Sequence, residues 1–320
     1  MTKQFEEFLK QIDAVTKIEY VEFETLPHLR NMLNDGFRKG LYVLGAMPST
    51  GKTTLVGQIA DSIAEKRKHV LYFSREMCPA DMYSKSLSRL ISLELKENFS
   101  NLAVKEFKTR PRKIEEITAY QNAVADYQDI SNYIYYPAIT KDIKFNADFI
   151  INEYQKCKEK KPIIIIDYLQ SLESLGAVEE SDKQRIDNNL KKIMFLKQET
   201  TVICISSLNR TSYRTNQTNY DSFKESGSIE YDADMLLTLT YDTEHPENKN
   251  NDTYEFDEMK ARENDIRHLN LYVLKNRYGK AGNSLPLEFN ACANIFEEGD
   301  KDERTFLNKQ EYRKKRRKKE

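Results

Sequence analysis

Apolar positions along this chain switch between a helical and a strand period. Phe5, Phe8, Leu9, Ile12 and Val15 form one stripe with Lys and Glu opposite, which predicts an amphipathic helix over 1–15. Pro27 and the turn signal Asn34-Asp35-Gly36 separate it from a short apolar strand, Leu41–Leu44. Leu55, Ile59 and Ile63 then recur at helical spacing, and a second strand follows at Val70–Phe73. Residues 80–131 read as irregular helix broken at Pro111, with Leu87, Leu90, Ile91 and Leu95 facing a core. A short strand at 133–136 and a helix around 146–159 lead to Pro162-Ile-Ile-Ile-Ile-Asp167, a strand buried on both faces as in a parallel sheet. A helix over 183–198 turns Ile186, Leu190, Ile193 and Met194 inward. Strands follow at 201–205, 235–240, 269–274 and 285–289; 211–224 reads as a polar loop and 242–265 as a mobile acidic one. Strands alternate with helices through most of the chain, so the expected class is α/β with a mainly parallel sheet flanked by helices. The expected layout is a helical segment and linker over 1–37, one domain over 38–298 and a disordered basic tail over 299–320.

Composition narrows the classes. Hydrophobic residues make up 39% of the 320 and charged residues 32%, enough for a sizeable core under a highly charged surface. No apolar run reaches the roughly 18 residues of a membrane span, and the N-terminus lacks the layout of a secretory signal. Cys78, Cys157, Cys204 and Cys292 are far apart and the four histidines are equally scattered, so neither a zinc site nor a disulfide framework is expected, and a reducing cytoplasm fits. Net charge is −1, yet residues 313–319 alone carry +7, leaving −8 for the rest. That basic run reads either as a solvated tail or as a weak, salt-sensitive phosphate binder. Nucleic-acid affinity elsewhere must come from local patches. The N-terminal helix likewise has two readings: packing on its own domain, or docking on a neighbouring subunit.

Candidate chemistry centres on Gly45-Ala-Met-Pro-Ser-Thr-Gly-Lys-Thr-Thr54, which sits between strand and helix as a phosphate-cradling loop must. The first position of the usual G-x-x-x-x-G-K-[ST] pattern falls on Ala46, so this is a variant. Gly51 lets the backbone approach a phosphate, and the N–H groups of Ser49 to Thr54 at the helix start point at the anion. Lys52 supplies charge for the outer phosphates of a nucleoside triphosphate, and Thr53 a hydroxyl for Mg²⁺. Glu76, just past the second strand, is placed to act as general base on an attacking water. Asp167, at the carboxyl end of the isoleucine strand, is placed to hold Mg²⁺ directly or through water.

Four segments in order carry a resemblance: the phosphate loop, Phe73-Ser-Arg-Glu-Met77, Ile166-Asp-Tyr-Leu-Gln170 and Lys224-Glu-Ser-Gly-Ser-Ile-Glu-Tyr-Asp-Ala-Asp234, with Ser206-Ser-Leu-Asn-Arg210 and Lys275-Asn-Arg-Tyr-Gly279 in support. Over residues 38–290 the chain resembles the C-terminal RecA-like motor domain of DnaB-type replicative helicases. The resemblance implies a RecA-like P-loop NTPase fold, with ATP and Mg²⁺ as ligands. It implies that Glu76 is the catalytic base and that Lys275 and Arg277 reach the γ-phosphate of an adjacent subunit, hence a homo-oligomeric ring, hexameric as in the family. Lys224, Glu225 and Gly227 match the channel loop that grips single-stranded DNA by its backbone, with movement 5′→3′. The chain departs from the family pattern at Ser207, where a Gln is usual, and at Lys224, where an Arg is usual. Only about 37 residues precede the matched region, so a stand-alone motor of the kind carried by phages and mobile elements is expected; primase coupling through the family's N-terminal collar does not follow, and a primase or other replication protein stays a candidate partner. The alternative reading is a non-helicase RecA-like ATPase, either a recombinase-like filament former or a nucleotide-dependent clamp that recruits partners.

Overall fold

A computed structural model describes residues 2–15, 19–176, 180–208, 223 and 227–299. Nine strands form one sheet: β1 (Gly40–Ala46), β2 (Val70–Ser74), β3 (Ile134–Tyr135), β4 (Ile163–Asp167), β5 (Thr201–Ser207), β6 (Met235–Tyr241), β7 (Ile266–Asn276), β8 (Ser284–Asn290) and β9 (Ile295–Glu298). Their order is β3-β2-β4-β5-β1-β6-β7-β8-β9. Pairing is parallel from β3 through β6 and antiparallel from β6 through β9. The sheet is therefore mainly parallel, as the alternation of periods predicts.

The helices are α1 (Lys3–Val15), α2 (Pro27–Met32), α3 (Lys52–Glu65), α4 (Pro79–Leu95), α5 (Asn101–Lys105), α6 (Ile114–Ser131), α7 (Ala147–Cys157), α8 (Asp182–Glu199), α9 (Gly227–Asp232) and α10 (Glu258–Glu263). Helices α3, α4 and α6 pack together, and α7, α8 and α9 form a second group. Every residue of β1, β4 and β6 is buried, as expected of strands covered on both faces. The isoleucines of β4 are at most 2% exposed. The predicted stripe on α4 does face apolar neighbours: Ile91 is buried with Phe99, Val104, Ala119 and Ala123, and Leu87, Leu90 and Leu95 pack around them.

Three features differ from expectation. Phe23, Leu26, Leu29, Leu33 and Phe37 are buried in the main core, so the stretch ahead of β1 packs with the sheet rather than merely leading to it. Their spacing is too irregular to register as a periodic face. Residues 242–265 are built rather than loose: a 3-10 turn (Pro246–Asn248), a bridge between Lys249 and Phe256, and α10 fold them back on β7. Their polarity masks an anchoring side chain, the fully buried Asn248. Strand β9 also escapes the sequence pattern, because only Ile295 and Phe296 in it are apolar. On α1 the described part of the apolar stripe is exposed: Phe5 and Phe8 are about half exposed and Leu9 is exposed as well. No helix among the described residues is long and apolar enough to cross a membrane. The basic run at 313–319 and the polar loop 211–222 lie outside the described residues.

Candidate functional site

Parallel pairing gathers the candidate residues at one edge of the sheet. Ala46 pairs with Ser207 and Ser74 with Asp167, so the phosphate loop, the Glu76 turn, Asp167 and the end of β5 all leave the sheet at the carboxyl ends of neighbouring strands. Open parallel sheets bind ligands in this crevice, where adjacent crossovers part.

The loop is braced from several sides. Thr50 is fully buried, and its hydroxyl donates to the Met47 carbonyl at 2.8 Å. Gly51 caps α3 at φ 86°, a left-handed conformation that favours glycine, and a Cβ there would come within 2.6 Å of the Phe289 ring. Gly45 is required for a different reason: a Cβ would lie 2.3 Å from the ring of Phe223 and 2.6 Å from a Leu208 methyl. Thus the glycine beside the variant Ala46 serves close packing. From β7, Arg267 Nη1 donates to the Ser49 carbonyl at 2.5 Å.

Lys52, Thr53, Glu76 and Asp167 come together around this loop. Asp167 is fully buried, and burial raises its pKa above the ordinary carboxylate value; the Thr53 hydroxyl, the Lys52 ammonium and the Tyr72 hydroxyl oppose the shift, while the negative Glu76 adds to it. Tyr72 donates to Asp167 Oδ2 at 3.3 Å. Asp167 Oδ1 is buried and has no hydrogen-bond partner within geometric reach among the described residues, with the Thr53 hydroxyl the nearest group acting on the carboxylate. An anionic oxygen without a donor, beside a threonine hydroxyl, is the donor set of a hard, oxygen-ligated cation, so the residues fit Mg²⁺. Glu76 itself is exposed at the mouth of the site, where water can reach it.

Several residues here carry no sequence signal of their own. Lys85 of α4 donates to Thr54 Oγ1 at 3.0 Å; burial lowers its pKa, against the pull of Asp167, Asp81 and Glu76. Gln170 bridges β4 to the end of β5: its Nε2 donates to Ser206 Oγ at 2.9 Å and its Oε1 accepts from the Ser207 N–H at 3.1 Å. Tyr72, Lys85, Arg267 and Phe289 reach the site from four separate elements, and only the third dimension reveals them. Gln170 alone lay within a recognisable motif.

Lys275 and Arg277 are not in this cluster. Tyr42 pairs with Met235, and Met235 with Asn276, so both side chains lie level with the start of β1, at the far edge of the sheet. The run from Tyr42 to Ala46 alone spans about 13 Å at the rise of a β-strand. At that far edge Lys275 Nζ donates to the carbonyls of Glu230 (2.6 Å) and Tyr231 (3.1 Å). Arg277 donates to the Tyr231 carbonyl (2.6 Å) and to Asp234 Oδ1 (3.0 Å). Asp234 is buried and also binds the Leu41 N–H and Lys197. Burial and the adjacent Arg277 charge lower the Lys275 pKa. Lys224 and Glu225 lie outside the described residues, and Gly227 opens α9.

Residues 24–298 match the sequence profile of the DnaB-like helicase C terminal domain. The chain belongs to that family. Among curated proteins, this DnaB-like chain is 28% identical to the replicative DNA helicase DnaB of Geobacillus stearothermophilus over 232 residues, 68% of the chain and 47% of that protein. It is 26% identical to the replicative DNA helicase DnaB of Mycoplasma genitalium over 283 residues, 83% of the chain and 54% of that protein. The chain thus spans about half the length of the curated relatives it matches. Among solved structures, the ATPase domain of G40P superposes with a TM-score of 0.73 at 19% identity, covering 94% of this chain and all of that one. A DnaB-like replicative helicase studied for its interactions with primase superposes at 0.72 and 20% identity, covering 92% of this chain and 66% of that one. These two likenesses establish the RecA-like fold of the DnaB-like motor domain.

Proposed function

We propose that this DnaB-like chain is an ATP-driven motor that works as a ring of identical subunits, hydrolyses ATP between neighbours and translocates on single-stranded DNA, 5′→3′, to separate strands in replication. The observation that carries this reading is the division of the candidate site across the two sheet edges. Lys52, Thr53, Glu76 and Asp167 lie at one edge, and Lys275 and Arg277 at the other. One chain cannot bring them together, whereas two chains side by side can.

In this reading Lys52 and the loop N–H groups bind the outer phosphates of ATP, and Thr53 and Asp167 hold Mg²⁺. The ion would neutralise charge building on the phosphate oxygens. Glu76 accepts a proton from the attacking water. Lys275 and Arg277 of the neighbouring subunit stabilise the transferring phosphoryl group, a contribution on the order of 10³-fold or more in comparable sites. Both side chains are now held by carbonyls of α9, which begins at Gly227, the end of the proposed DNA-gripping loop Lys224–Gly227. Reaching for a neighbour's nucleotide therefore releases α9, which links hydrolysis to movement of that loop. Lys224 and exposed N–H groups suit backbone phosphates and read no bases. The exposed Phe5, Phe8 and Leu9 of α1 favour docking on an adjacent subunit, and a primase or other replication protein is a further partner of the ring.

The decisive assay is ATP-dependent unwinding of a forked duplex, with ring formation followed by particle imaging. Strand separation that needs ATP and Lys52 is expected. A second reading, a nucleotide-dependent clamp, draws on Ser207, too short to contact a γ-phosphate as the family's usual Gln does. ATP-dependent binding of single strands without unwinding would favour the clamp and set the motor aside.

A further inference from the structure

The chain has four histidines, and the fold brings two of them, 23 positions apart in sequence, into contact. The rings of His245 and His268 stack with centroids 3.5 Å apart and planes 13° apart. Glu247 joins them, its Oε2 lying 2.9 Å from His268 Nε2. One nitrogen of each ring and one Glu247 oxygen lie within 4.8 Å of one another. We propose that His245, Glu247 and His268 form a binding site for a divalent transition ion of borderline softness, zinc or its cobalt and nickel analogues.

The ligand chemistry favours such an ion. Two imidazole nitrogens held side by side are donors of the borderline softness that zinc, cobalt and nickel prefer. Two histidines and one carboxylate form a ligand set of open zinc sites, with a further position left for water. Mg²⁺ and Ca²⁺ select all-oxygen sets instead. A second carboxylate stands near His268: Glu288 Oε1 lies 3.7 Å from its Nδ1, just beyond hydrogen-bond reach. Metal-binding histidines commonly present their second nitrogen to such a carboxylate.

The scaffold holds the three residues in place. His268 is 8% exposed on β7. His245 caps the 3-10 turn Pro246–Asn248, its Nδ1 accepting from the Glu247 N–H at 3.3 Å. Buried Asn248 fastens this turn to β7 by donating to the carbonyls of Asp242 (2.8 Å) and His268 (2.9 Å). The donor atoms lie within 4.8 Å of one another, wider than the ligand edges of a tetrahedral site, so ligation tilts one ring and draws the donors together. His245, on the turn and partly exposed, has room for that tilt. Bound metal would tie the 242–265 excursion to the strand segment that contains Arg267, the residue bracing the phosphate loop at Ser49.

The test uses the full chain, stripped with chelator and titrated with Zn²⁺ against a chromophoric competitor in excess Mg²⁺, which occupies the phosphate-loop site. One tight Zn²⁺ equivalent is expected. Loss of an outer partner costs about 10- to 100-fold in metal affinity, so His245→Ala and His268→Ala should each lose roughly 100-fold or more. His28→Ala should lose nothing. Glu247→Gln, on the exposed side of the turn, covers the case in which His268→Ala does not fold: Zn²⁺ should raise the Tm of the wild type and not of this variant. The Co²⁺-loaded protein should show d–d bands without a sulfur charge-transfer band. Unchanged Zn²⁺ affinity in both histidine variants, no tight equivalent in the wild type, or a sulfur band placing the ion on Cys78 or Cys292 would each overturn the proposal.

Discussion

The two ends of the central sheet differ in how complete they are. At the carboxyl end of β1 the phosphate loop is braced by Thr50, Phe289 and Arg267, and a buried aspartate holds an oxygen with no donor. It is prepared for a ligand. At the amino end, Lys275 and Arg277 have spent their hydrogen bonds on α9 and Asp234. They are satisfied and face no substrate of their own chain. On the function proposed above, this arrangement separates binding from catalysis: each chain binds a nucleotide, and turnover waits for a neighbour that gives up its own contacts.

The largest expected effect tests that separation directly. Arg277→Ala and Lys52→Ala should each lower turnover by about 10³-fold or more, near 4 kcal/mol in the barrier. Mixing the two inactive chains before assembly should restore part of it, because one interface type then has an intact Lys52 and an intact Arg277. A mixture that co-assembles yet stays inactive would refute the shared site. Next comes the far edge alone. Asp234→Ala removes the acceptor of the Leu41 N–H and leaves the Lys197 ammonium without its counter-charge, and should cost about 3 kcal/mol in urea unfolding while nucleotide affinity of the folded fraction holds. Equal loss of affinity would mean the edges are not independent. At the near edge, Gly51→Ala meets both the positive φ and the Phe289 ring, so about 1–3 kcal/mol of stability should go together with nucleotide binding; a Phe289→Leu partner should recover only the steric part.

The smallest effect concerns Asp167. Its folded pKa is raised, chiefly by burial, so the stability it contributes is present below the ordinary carboxylate pKa of about 4 and is lost as pH rises through the folded value. Without Mg²⁺, Asp167→Asn should therefore melt on the order of 2 °C or more above the wild type at neutral pH, the gap closing as pH falls toward about 4. A constant gap across that window would show that ionisation is not its source.

Much of the near edge was legible in the residues. Gly51-Lys52-Thr53 follow a strand and open a helix, and Asp167 ends a run of four isoleucines. Local spacing suffices because parallel strands deliver their carboxyl ends to the same edge. The wrapping of 242–265 onto β7 was not legible, since Asn248 fixes it through one buried amide amid polar neighbours. Nor was the meeting of His245 with His268, which the scatter of histidines argued against.

What the sequence by itself determined was the class of fold, the order of its strands and helices, and the local loop that faces a phosphate, because these depend on periods and on contacts between near neighbours. Only the tertiary structure decided which end of the sheet each cation occupies. An antiparallel β7 reverses direction beside β6, carrying Lys275 and Arg277 away from Lys52 and Arg267 toward Ser49. Strand direction is a property of pairing, and no stretch of residues read alone records it.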